Sequence, residues 1–309
     1  MTRLLTRSDL VDLLEPPACL AALRDGFRAV GADVAIPGQR VRTDLPFPGT
    51  ATALIPGLLP GIEAYTVKVN AKFPGARPAL RGVICLYSGV DGELLALLDS
   101  ATVTAWRTGL AAALGTHVLA GPAEDAVVGV IGAGAQAELM VRGLGVLRPY
   151  CQLLVHDADF ERATGFAARH GGRVLGSATE IASAADTVLL ATWSRTPLLS
   201  LADTRAGQHF TSLGADEPGK RELAADLLDA ALVVVDDRQL VASVGTLAPD
   251  DIDTTLGDVL RGDHPGRTDS TARSVYAPVG LPWQDLALAW LAYRRAEEEG
   301  VGRRVNLLG

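Results

Sequence analysis

The amino-acid sequence predicts an α/β protein, with a doubly wound parallel sheet in the centre of the chain and an α+β domain built from its two ends. Short apolar segments alternate with Ala-rich helical segments between residues 126 and 235, as in parallel strands covered by helices on both faces. Residues 40–100 instead carry strand-like segments separated by Pro, Gly and Asp-Gly turns. A long amphipathic helix is predicted after the α/β region, at 283–299.

Length and charge restrict the class of protein. The chain has 309 residues, which suits about two domains. Its net charge of −8 repels phosphate backbones, so we expect no nucleic-acid partner. The amino-terminal segment has acidic residues and no apolar core, and no apolar run approaches about 18 residues. We therefore expect neither a signal peptide nor a membrane partner.

The cysteines predict a reducing environment. The chain has three, Cys19, Cys85 and Cys151, which are far apart and odd in number. Their spacing indicates neither a disulfide framework nor a metal site. We therefore expect a cytoplasmic protein without a metal ion.

The amino-terminal part is predicted to begin with two helices and to continue as a sheet. Leu10, Leu13 and Leu14 have helical spacing, and Pro16 and Pro17 interrupt it. An Asp-Gly pair at 91–92 is typical of a hairpin turn. The predicted strands include Val41, 64–69 and 83–87.

An Ala-rich helix is predicted over residues 100–120, and Gly121-Pro122 ends it. We place a domain boundary there. The predicted domains are 1–121 with 280–309, built from the two ends of the chain, and 122–279, which contains the α/β region.

The central part is predicted to be a Rossmann-type sheet. Its expected strands are 126–131, 152–157, 187–191, 210–213 and 232–235. Helices are expected to end near Leu147 and His170. In the final helix, Leu286, Trp290 and Tyr293 are predicted to mark the apolar face.

A glycine motif, GAGAQA at 132–137, follows the first of these strands and opens a helix. Gly132 permits a tight turn, and Gly134 lets a pyrophosphate approach the helix N-terminus, which Ala135 and Gln136 begin. Ala137 takes the third small position. The alternative is a glycine-rich turn without a ligand.

Asp157 ends the next predicted strand, 23 positions after Gly134. A carboxylate there binds the ribose hydroxyls of NAD and repels the 2′-phosphate of NADP. We therefore expect NAD, with NADP disfavoured. The alternative is that Asp157 caps the following helix.

Three charged residues stand in apolar surroundings. Lys68 lies within the strand-like YTVKVN, Arg107 within the helical TAWRTG, and Asp216 after an apolar strand in SLGADEPGKREL. Such charges are costly unless they are paired or used in function. Structural ion pairing remains open for Lys68 and Arg107, and a simple turn role for Asp216.

These segments together resemble the ornithine cyclodeaminase/mu-crystallin family, in order from about residue 37 to residue 299. The resemblance implies a homodimer in which a Rossmann domain interrupts a substrate and dimerisation domain. The matching segments are IPGQR, VKVN, GELLALLDSATVTAWRTG, GAGAQA, GADEPGKREL, GDVLRGDHPGR and VGLPWQDLALA.

The resemblance also implies roles for substrate-binding and catalytic residues. Arg107 and Lys68 hold the substrate carboxylate, together with an arginine of IPGQRVR, for which Arg40 is preferred and Arg42 competes. Asp216 takes up protons. Lys68 alternatively donates a proton, if burial beside the arginines lowers its pKa.

Further positions are expected around the cofactor. Thr108 and Thr192 are expected near phosphate or ribose, Lys220 beside the cofactor, and Val279 against nicotinamide or substrate. The five histidines show no ligand spacing and are expected at the surface or at boundary positions: His117, His156, His170, His209 and His264.

The expected reaction is hydride transfer between nicotinamide and the Cα of a small amino, imino or 2-oxo acid. Ornithine cyclodeaminases carry a glutamate for the ornithine side chain where this sequence has Ala53. We therefore favour an NAD(H)-dependent amino acid dehydrogenase or imine (ketimine) reductase. The alternatives are an ornithine cyclodeaminase, which forms proline and releases ammonia, and a mu-crystallin-like cofactor-binding protein without turnover.

Overall fold

The computed structural model describes residues 1–30, 41–47, 50–73, 76, 78–122, 125–214 and 219–307. The chain forms two compact units: a terminal unit, Met1–Arg107 with Leu281–Gly309, and a central unit, Thr108–Gly280. The division falls within a helix, Ser100–Leu119, at whose far end the sequence predicts a boundary.

The described residues form fifteen strands, ten α-helices and two short 3-10 helices, Leu201–Asp203 and Pro249–Asp251. The strands are β1 (Thr2–Leu5), β2 (Val41–Asp44), β3 (Ala51–Gly57), β4 (Ala64–Lys72), β5 (Leu80–Ser88), β6 (Leu94–Asp99), β7 (Val127–Ile131), β8 (Gln152–His156), β9 (Arg173–Val174), β10 (Thr187–Leu190), β11 (His209–Ser212), β12 (Ala231–Val235), β13 (Thr254–Thr255), β14 (Arg273–Tyr276) and β15 (Arg303–Val305). The helices are α1 (Arg7–Leu13), α2 (Pro16–Ala29), α3 (Ser100–Leu119), α4 (Ala135–Leu147), α5 (Phe160–His170), α6 (Ala178–Ala184), α7 (Ala225–Asp229), α8 (Arg238–Val244), α9 (Leu256–Arg261) and α10 (Pro282–Glu299).

The terminal unit contains a seven-stranded sheet in the order β15-β1-β6-β5-β4-β3-β2. Its pairs are antiparallel except for β1 with β6. The break between α1 and α2 is confirmed, since Pro16 begins the second helix, where a missing N–H costs nothing. Along β4, Ala64, Thr66, Lys68 and Asn70 are buried, and α10 packs on β3, β4 and β5.

The buried stripe of α10 differs from the predicted one. Leu286 is fully buried, but Trp290 and Tyr293 are only half-buried. The stripe continues instead through Ala289, Ala292 and Ala296. Small side chains let a helix lie close to its neighbours. The prediction that the large residues of α10 mark its packed face was therefore wrong beyond Leu286.

The central unit contains an eight-stranded parallel sheet in the order β13-β12-β14-β11-β10-β7-β8-β9. The chain runs outward from β7 to β9 and then returns to place β10 on the other side of β7. This reversal is the switch point beside which α/β sheets bind ligands. Two buried apolar clusters include residues of this sheet and its helices. The predicted α/β fold class is confirmed.

One histidine prediction is wrong. His209 is fully buried, and its ring nitrogens lie 2.9 Å from Ser274 Oγ and 2.9 Å from Thr211 Oγ1. Burial lowers the pKa of His209 to about 3, so the ring is neutral. Spacing along the sequence did not reveal these partners: Thr211 stands two positions along the same strand, and Ser274 stands on the neighbouring strand β14. Among the described helices, none combines the length and apolar character needed to cross a membrane.

Candidate active site

A buried ion cluster lies in the terminal unit between β4 and α10. Lys68 stands opposite Ile55 and Ile84 in the sheet, and its Nζ donates to Oδ2 of Asp285 on the first turn of α10. Both side chains are 2% exposed. A buried carboxylate favours the charged ammonium, so the contact suits Lys68 as an anion-binding cation.

Arg107, on α3, completes the cluster. Its Nε lies 3.5 Å from Asp285 Oδ1, and its Nη1 donates to Gln284 Oε1 at 3.4 Å. Within the described part of the chain, three buried atoms of the cluster make no hydrogen bond: Arg107 Nε, Asp285 Oδ1 and Gln284 Nε2. The first two face each other in the ion pair, and Gln284 Nε2 is a donor without an acceptor. The cluster has two cations and one carboxylate. Its positive charge and its unsatisfied donors fit a further carboxylate.

The same face of the sheet carries two polar residues and a small one. Ala53 on β3 is paired with Asn70 on β4 and with Arg42 on β2. Ser100 Oγ donates to Asn70 Oδ1, and Arg42 lies 3.3 Å from Asp44. Ala53 itself brings no carboxylate to this row, beside which Asp44 is paired with Arg42.

The glycine turn of the central unit follows β7. Gly132 has φ +93°, and an added Cβ would lie 2.7 Å from Ala191 O and 2.8 Å from Thr192 Cγ2. Gly134 begins α4, a helix of 13 residues, and is exposed together with Ala135. A Cβ at Gly134 would meet no atom within 4 Å among the described residues. The open helix N-terminus, with its unpaired N–H groups, fits a pyrophosphate.

Asp157 is held beside this turn. Its Oδ2 accepts from Ala133 N at 2.8 Å, and its Oδ1 accepts from Asp159 N at 2.8 Å. Arg162 Nη1 lies 3.3 Å from Oδ1. The N-cap of α5 is Asp159, whose side chain accepts from Arg162 N, so Asp157 does not serve as that cap.

A second buried carboxylate joins the carboxyl ends of β10 and β11. Glu222 is 1% exposed. Its Oε1 accepts from Thr192 N at 2.6 Å and Thr192 Oγ1 at 2.7 Å, and its Oε2 accepts from Ser212 Oγ at 2.7 Å and Gly214 N at 2.8 Å. Burial raises the pKa of Glu222, and the four hydrogen bonds oppose that shift.

A third buried carboxylate holds the turn after β14. Asp236, at the end of β12, accepts from Val279 N at 3.0 Å and from Gly280 N at 2.5 Å. Burial raises the pKa of Asp236 to about 6. The carboxylate fixes the backbone of Val279, and Gly280 adopts φ +93° beside it.

The sequence profile of the ornithine cyclodeaminase/mu-crystallin family matches residues 14–300. The chain belongs to this family. The alanine dehydrogenase of Archaeoglobus fulgidus is 27% identical over an alignment of 321 positions, which covers 99% of this chain and 98% of that protein.

Two solved structures of similar chains agree closely in fold. The Thermococcus litoralis Delta(1)-pyrroline-2-carboxylate reductase, in complex with NADH and L-proline, has a TM-score of 0.91 and 26% identity, covering 98% of this chain and 100% of that one. An archaeal alanine dehydrogenase dimer with bound NAD has a TM-score of 0.88 and 25% identity, covering 99% of each chain.

The structure brings together some of the residues predicted from the family resemblance. Lys68 and Arg107 share Asp285, and Thr192 lies against Gly132. Lys220 Nζ lies 5.0 Å from the ring centroid of Trp193. The hydroxyl of Thr108 is buried, and no described residue bonds to it. Gln136, which follows Ala135 in α4, is half-buried. Arg40 and Asp216 lie outside the described residues.

Sequence reasoning missed three buried acids, Asp285, Glu222 and Asp236. Asp285 is flanked by apolar residues in PWQDLALA, and Asp236 directly follows an apolar strand. Both patterns signal a costly charge, as they did for Lys68 and Arg107. Glu222 gave no comparable signal, because KREL reads as an ordinary charged segment.

Proposed function

We propose that this member of the family is an NAD(H)-dependent oxidoreductase that acts at the Cα–N bond of a small amino or imino acid. The buried cluster of Lys68, Arg107 and Asp285 carries this proposal. It offers positive charge and unsatisfied donors to a carboxylate, the group that every such substrate has.

The residues of the cluster have distinct roles. Arg107 binds the substrate carboxylate with its planar guanidinium, and Lys68 binds it as a point charge. Asp285 orients both cations. Arg40 is the preferred third cation, while Arg42 is exposed and close to Asp44. When bound, the nicotinamide supplies or accepts the hydride at the substrate Cα.

Asp216 is proposed to accept and return protons at the substrate nitrogen or at an attacking water. Replacement by Asn removes the base and keeps the size of the side chain. We expect Asp216→Asn to abolish turnover while the dissociation constant of NADH, measured by fluorescence titration, stays close to that of the wild type. Loss of NADH binding would remove Asp216 from the catalytic role.

The central unit is proposed to hold the cofactor. Gly132, Gly134, Ala135 and Gln136 form the pyrophosphate turn, and Asp157 binds the adenosine ribose and favours NAD over NADP. Two relatives agree with this choice of cofactor, since their structures contain NADH and NAD. The remaining proposed contacts are Thr108, Thr192, Lys220 and Val279.

The preferred substrate lacks a terminal ammonium. Ala53 provides no carboxylate beside Asn70, and an unpaired ammonium in a buried site is costly. An amino acid dehydrogenase or an imine reductase is therefore favoured over an ornithine cyclodeaminase. Two of the similar proteins, an alanine dehydrogenase and a pyrroline-2-carboxylate reductase, have names that agree with this preference. Another, from Bordetella pertussis and 32% identical, is a probable ornithine cyclodeaminase, so the preference depends on Ala53.

We propose a homodimer formed through the terminal sheet. On the face opposite to Lys68, Leu54, Val69 and Val83 form one apolar row, all half-buried or exposed, and Tyr65 stacks on Tyr87. Such a continuous patch marks an interaction surface. The similar alanine dehydrogenase is a dimer.

Light scattering tests the dimer. Val69→Glu should give a monomer, because it places a charge within the apolar row. Val90→Glu is the matched control, since Val90 is 78% exposed in a turn outside this face. An unchanged mass for Val69→Glu would contradict the proposed interface.

A cytoplasmic location also belongs to the proposal. Cys19, Cys85 and Cys151 are all free thiols. Thiols persist in a reducing compartment.

Turnover with purified protein decides the function. The assay follows NADH absorbance with ammonia and a panel of 2-oxo acids, then with Δ1-pyrroline-2-carboxylate without ammonia, and finally NAD⁺ with L-alanine or L-proline. Cyclisation of L-ornithine returns the hydride and leaves no net NADH, so turnover on L-ornithine with NAD⁺ is followed by release of ammonia and formation of proline. We expect turnover on an oxo acid or cyclic imine and none on L-ornithine. NADH binding without any turnover would indicate a cofactor-binding protein instead.

A pair of lysine variants tests the cluster in the same assay. Lys68→Ala should raise the substrate KM or stop the reaction, because it removes a carboxylate-binding cation. Lys72→Ala, at the end of the same strand, should behave like the wild type. Equal kinetics for the two variants would assign Lys68 a structural role.

A further inference from the structure

Glu222 is a buried acid to which the proposed chemistry gives no role. All four donors to its carboxylate are uncharged: two backbone amides and two hydroxyls. They come from the ends of two neighbouring strands, so one side chain joins two loops at the carboxyl edge of the sheet.

The first of these loops touches the glycine turn. Thr192 is the residue whose Cγ2 leaves no space for a side chain at Gly132. Glu222 reinforces the same loop with its own backbone, because its carbonyl accepts from Leu198 N at 2.7 Å. A displacement of the Glu222 carboxylate would therefore be transmitted through Thr192 to Gly132 in the proposed pyrophosphate site.

The second set of contacts is with Ser212, the last residue of β11, and with Gly214, two positions beyond it. A Cβ at Gly214 would lie 2.6 Å from Glu222 Cγ and 2.9 Å from Glu222 Oε2. Glycine is required here for close approach, because the carboxylate occupies the space that a side chain would fill.

A carboxylate suits this position better than an amide. Each oxygen accepts from one backbone N–H and one hydroxyl. A hydroxyl can rotate to accept a bond, but a backbone N–H only donates. The NH₂ group of glutamine would therefore face either Thr192 N or Gly214 N, and would leave that buried donor unpaired.

We propose that Glu222 is a positioning residue for cofactor binding. Its carboxylate holds Thr192 against Gly132 and fixes Gly214 at the start of the segment that carries Asp216. The inference deepens the proposed function and rests on it. Glu222 itself does not contact the cofactor, so its effect should appear as lost affinity for NADH.

The test compares NADH dissociation constants, measured by fluorescence titration well below the melting temperature of each protein. Glu222→Gln should weaken NADH binding about tenfold, the size expected for one unpaired buried donor near the site. Gly214→Ala should weaken binding in the same direction, because its Cβ displaces the carboxylate. If Glu222→Gln does not fold, the NADH affinity of Gly214→Ala tests the proposal by itself.

Gln208→Leu is the matched control for lost stability. Gln208 is fully buried, donates to Ala182 O and Ala185 O, and accepts from Arg205 N, all at the opposite end of β11 from Ser212. It should lower the melting temperature and change NADH affinity by less than about twofold, since distant sites act independently.

Two results would overturn the inference. One is wild-type affinity for NADH in folded Glu222→Gln. The other is an equal loss of affinity in Gln208→Leu, which would show that general destabilisation is the cause. Neither outcome affects the proposed function, which fails separately if the wild-type protein does not bind NADH.

Discussion

Two buried carboxylates, one in each unit, meet opposite surroundings. Asp285 in the terminal unit faces Lys68 and Arg107, whereas Glu222 in the central unit faces only amides and hydroxyls. The first reduces a surplus of positive charge and leaves enough to bind an anion. The second uses its charge to order backbone. In this protein, the groups that donate to a buried acid therefore decide its role: cationic donors make it part of a charged cluster, and uncharged donors make it a support for the backbone.

The largest effect should follow from breaking the charged pair of the terminal unit. Lys68→Met leaves the Asp285 carboxylate with one distant cation and should lower the free energy of unfolding by about 3–5 kcal/mol. Urea denaturation measures this. The double variant Lys68→Met with Asp285→Leu should regain most of the stability without regaining activity. A double variant as unstable as the single one would contradict the pairing.

A second test uses Asp236, which like Glu222 faces backbone amides. Its pKa of about 6 lies above that of an unfolded aspartate. The folded state therefore binds more protons between about pH 4 and 6, and stability from this group rises as pH falls through that window. Against Asp236→Asn, the wild type should gain up to about 3 kcal/mol between pH 7 and 4, measured by urea denaturation. A difference independent of pH would show that Asp236 does not titrate there.

Asp157 combines the two kinds of surroundings. It faces one cation, Arg162, as Asp285 does, and it also accepts from backbone amides, as Glu222 does. Asp157→Ser removes the repulsion of a 2′-phosphate and leaves Arg162 to attract it. The ratio of kcat/KM for NADH over NADPH should fall by about tenfold. An unchanged ratio would show that Asp157 does not contact the ribose.

The smallest expected effect comes from adding an acid to the terminal unit. Ala53→Glu introduces a carboxylate beside Asn70 and should let diamino acids such as L-ornithine compete with substrate, with inhibition several-fold stronger than in the wild type. Ala53→Gln, similar in size but uncharged, is the control. Equal inhibition of both variants would mean that charge at this position does not select the side chain.

Sequence alone predicted what local patterns encode. Five of the eight strands of the central sheet and the glycine turn were found because apolar runs, a motif and its context agree. The strands β9, β13 and β14 were missed, since they have only two to four residues and carry no comparable apolar run. Lys68 and Arg107 were marked as unusual by their apolar neighbours. Their shared partner was not found, because the contact of β4 with α10 depends on packing between residues 217 positions apart.

The misses have the same origin. Trp290 and Tyr293 were assigned to the packed face of α10 because they are large, while the contact selected alanines. His209 was placed at the surface, although Ser274 and Thr211 satisfy it inside the sheet. The packing partners of α10 and Ser274 of β14 lie on other elements, and periodicity within one segment carries no information about them.

Asp157 and Asp159, which follow β8, contact different elements: Asp157 accepts from Ala133 N of the glycine turn, and Asp159 caps α5. Asp159 is the N-cap of α5, and its side chain accepts from Arg162 N, so the cap bond itself does not involve the side chain at position 157. An exchange at Asp157 therefore leaves the next element intact and acts mainly on the neighbouring turn. If Asp157 selects the dinucleotide as proposed, a change of cofactor preference requires a substitution at this position and none in α5.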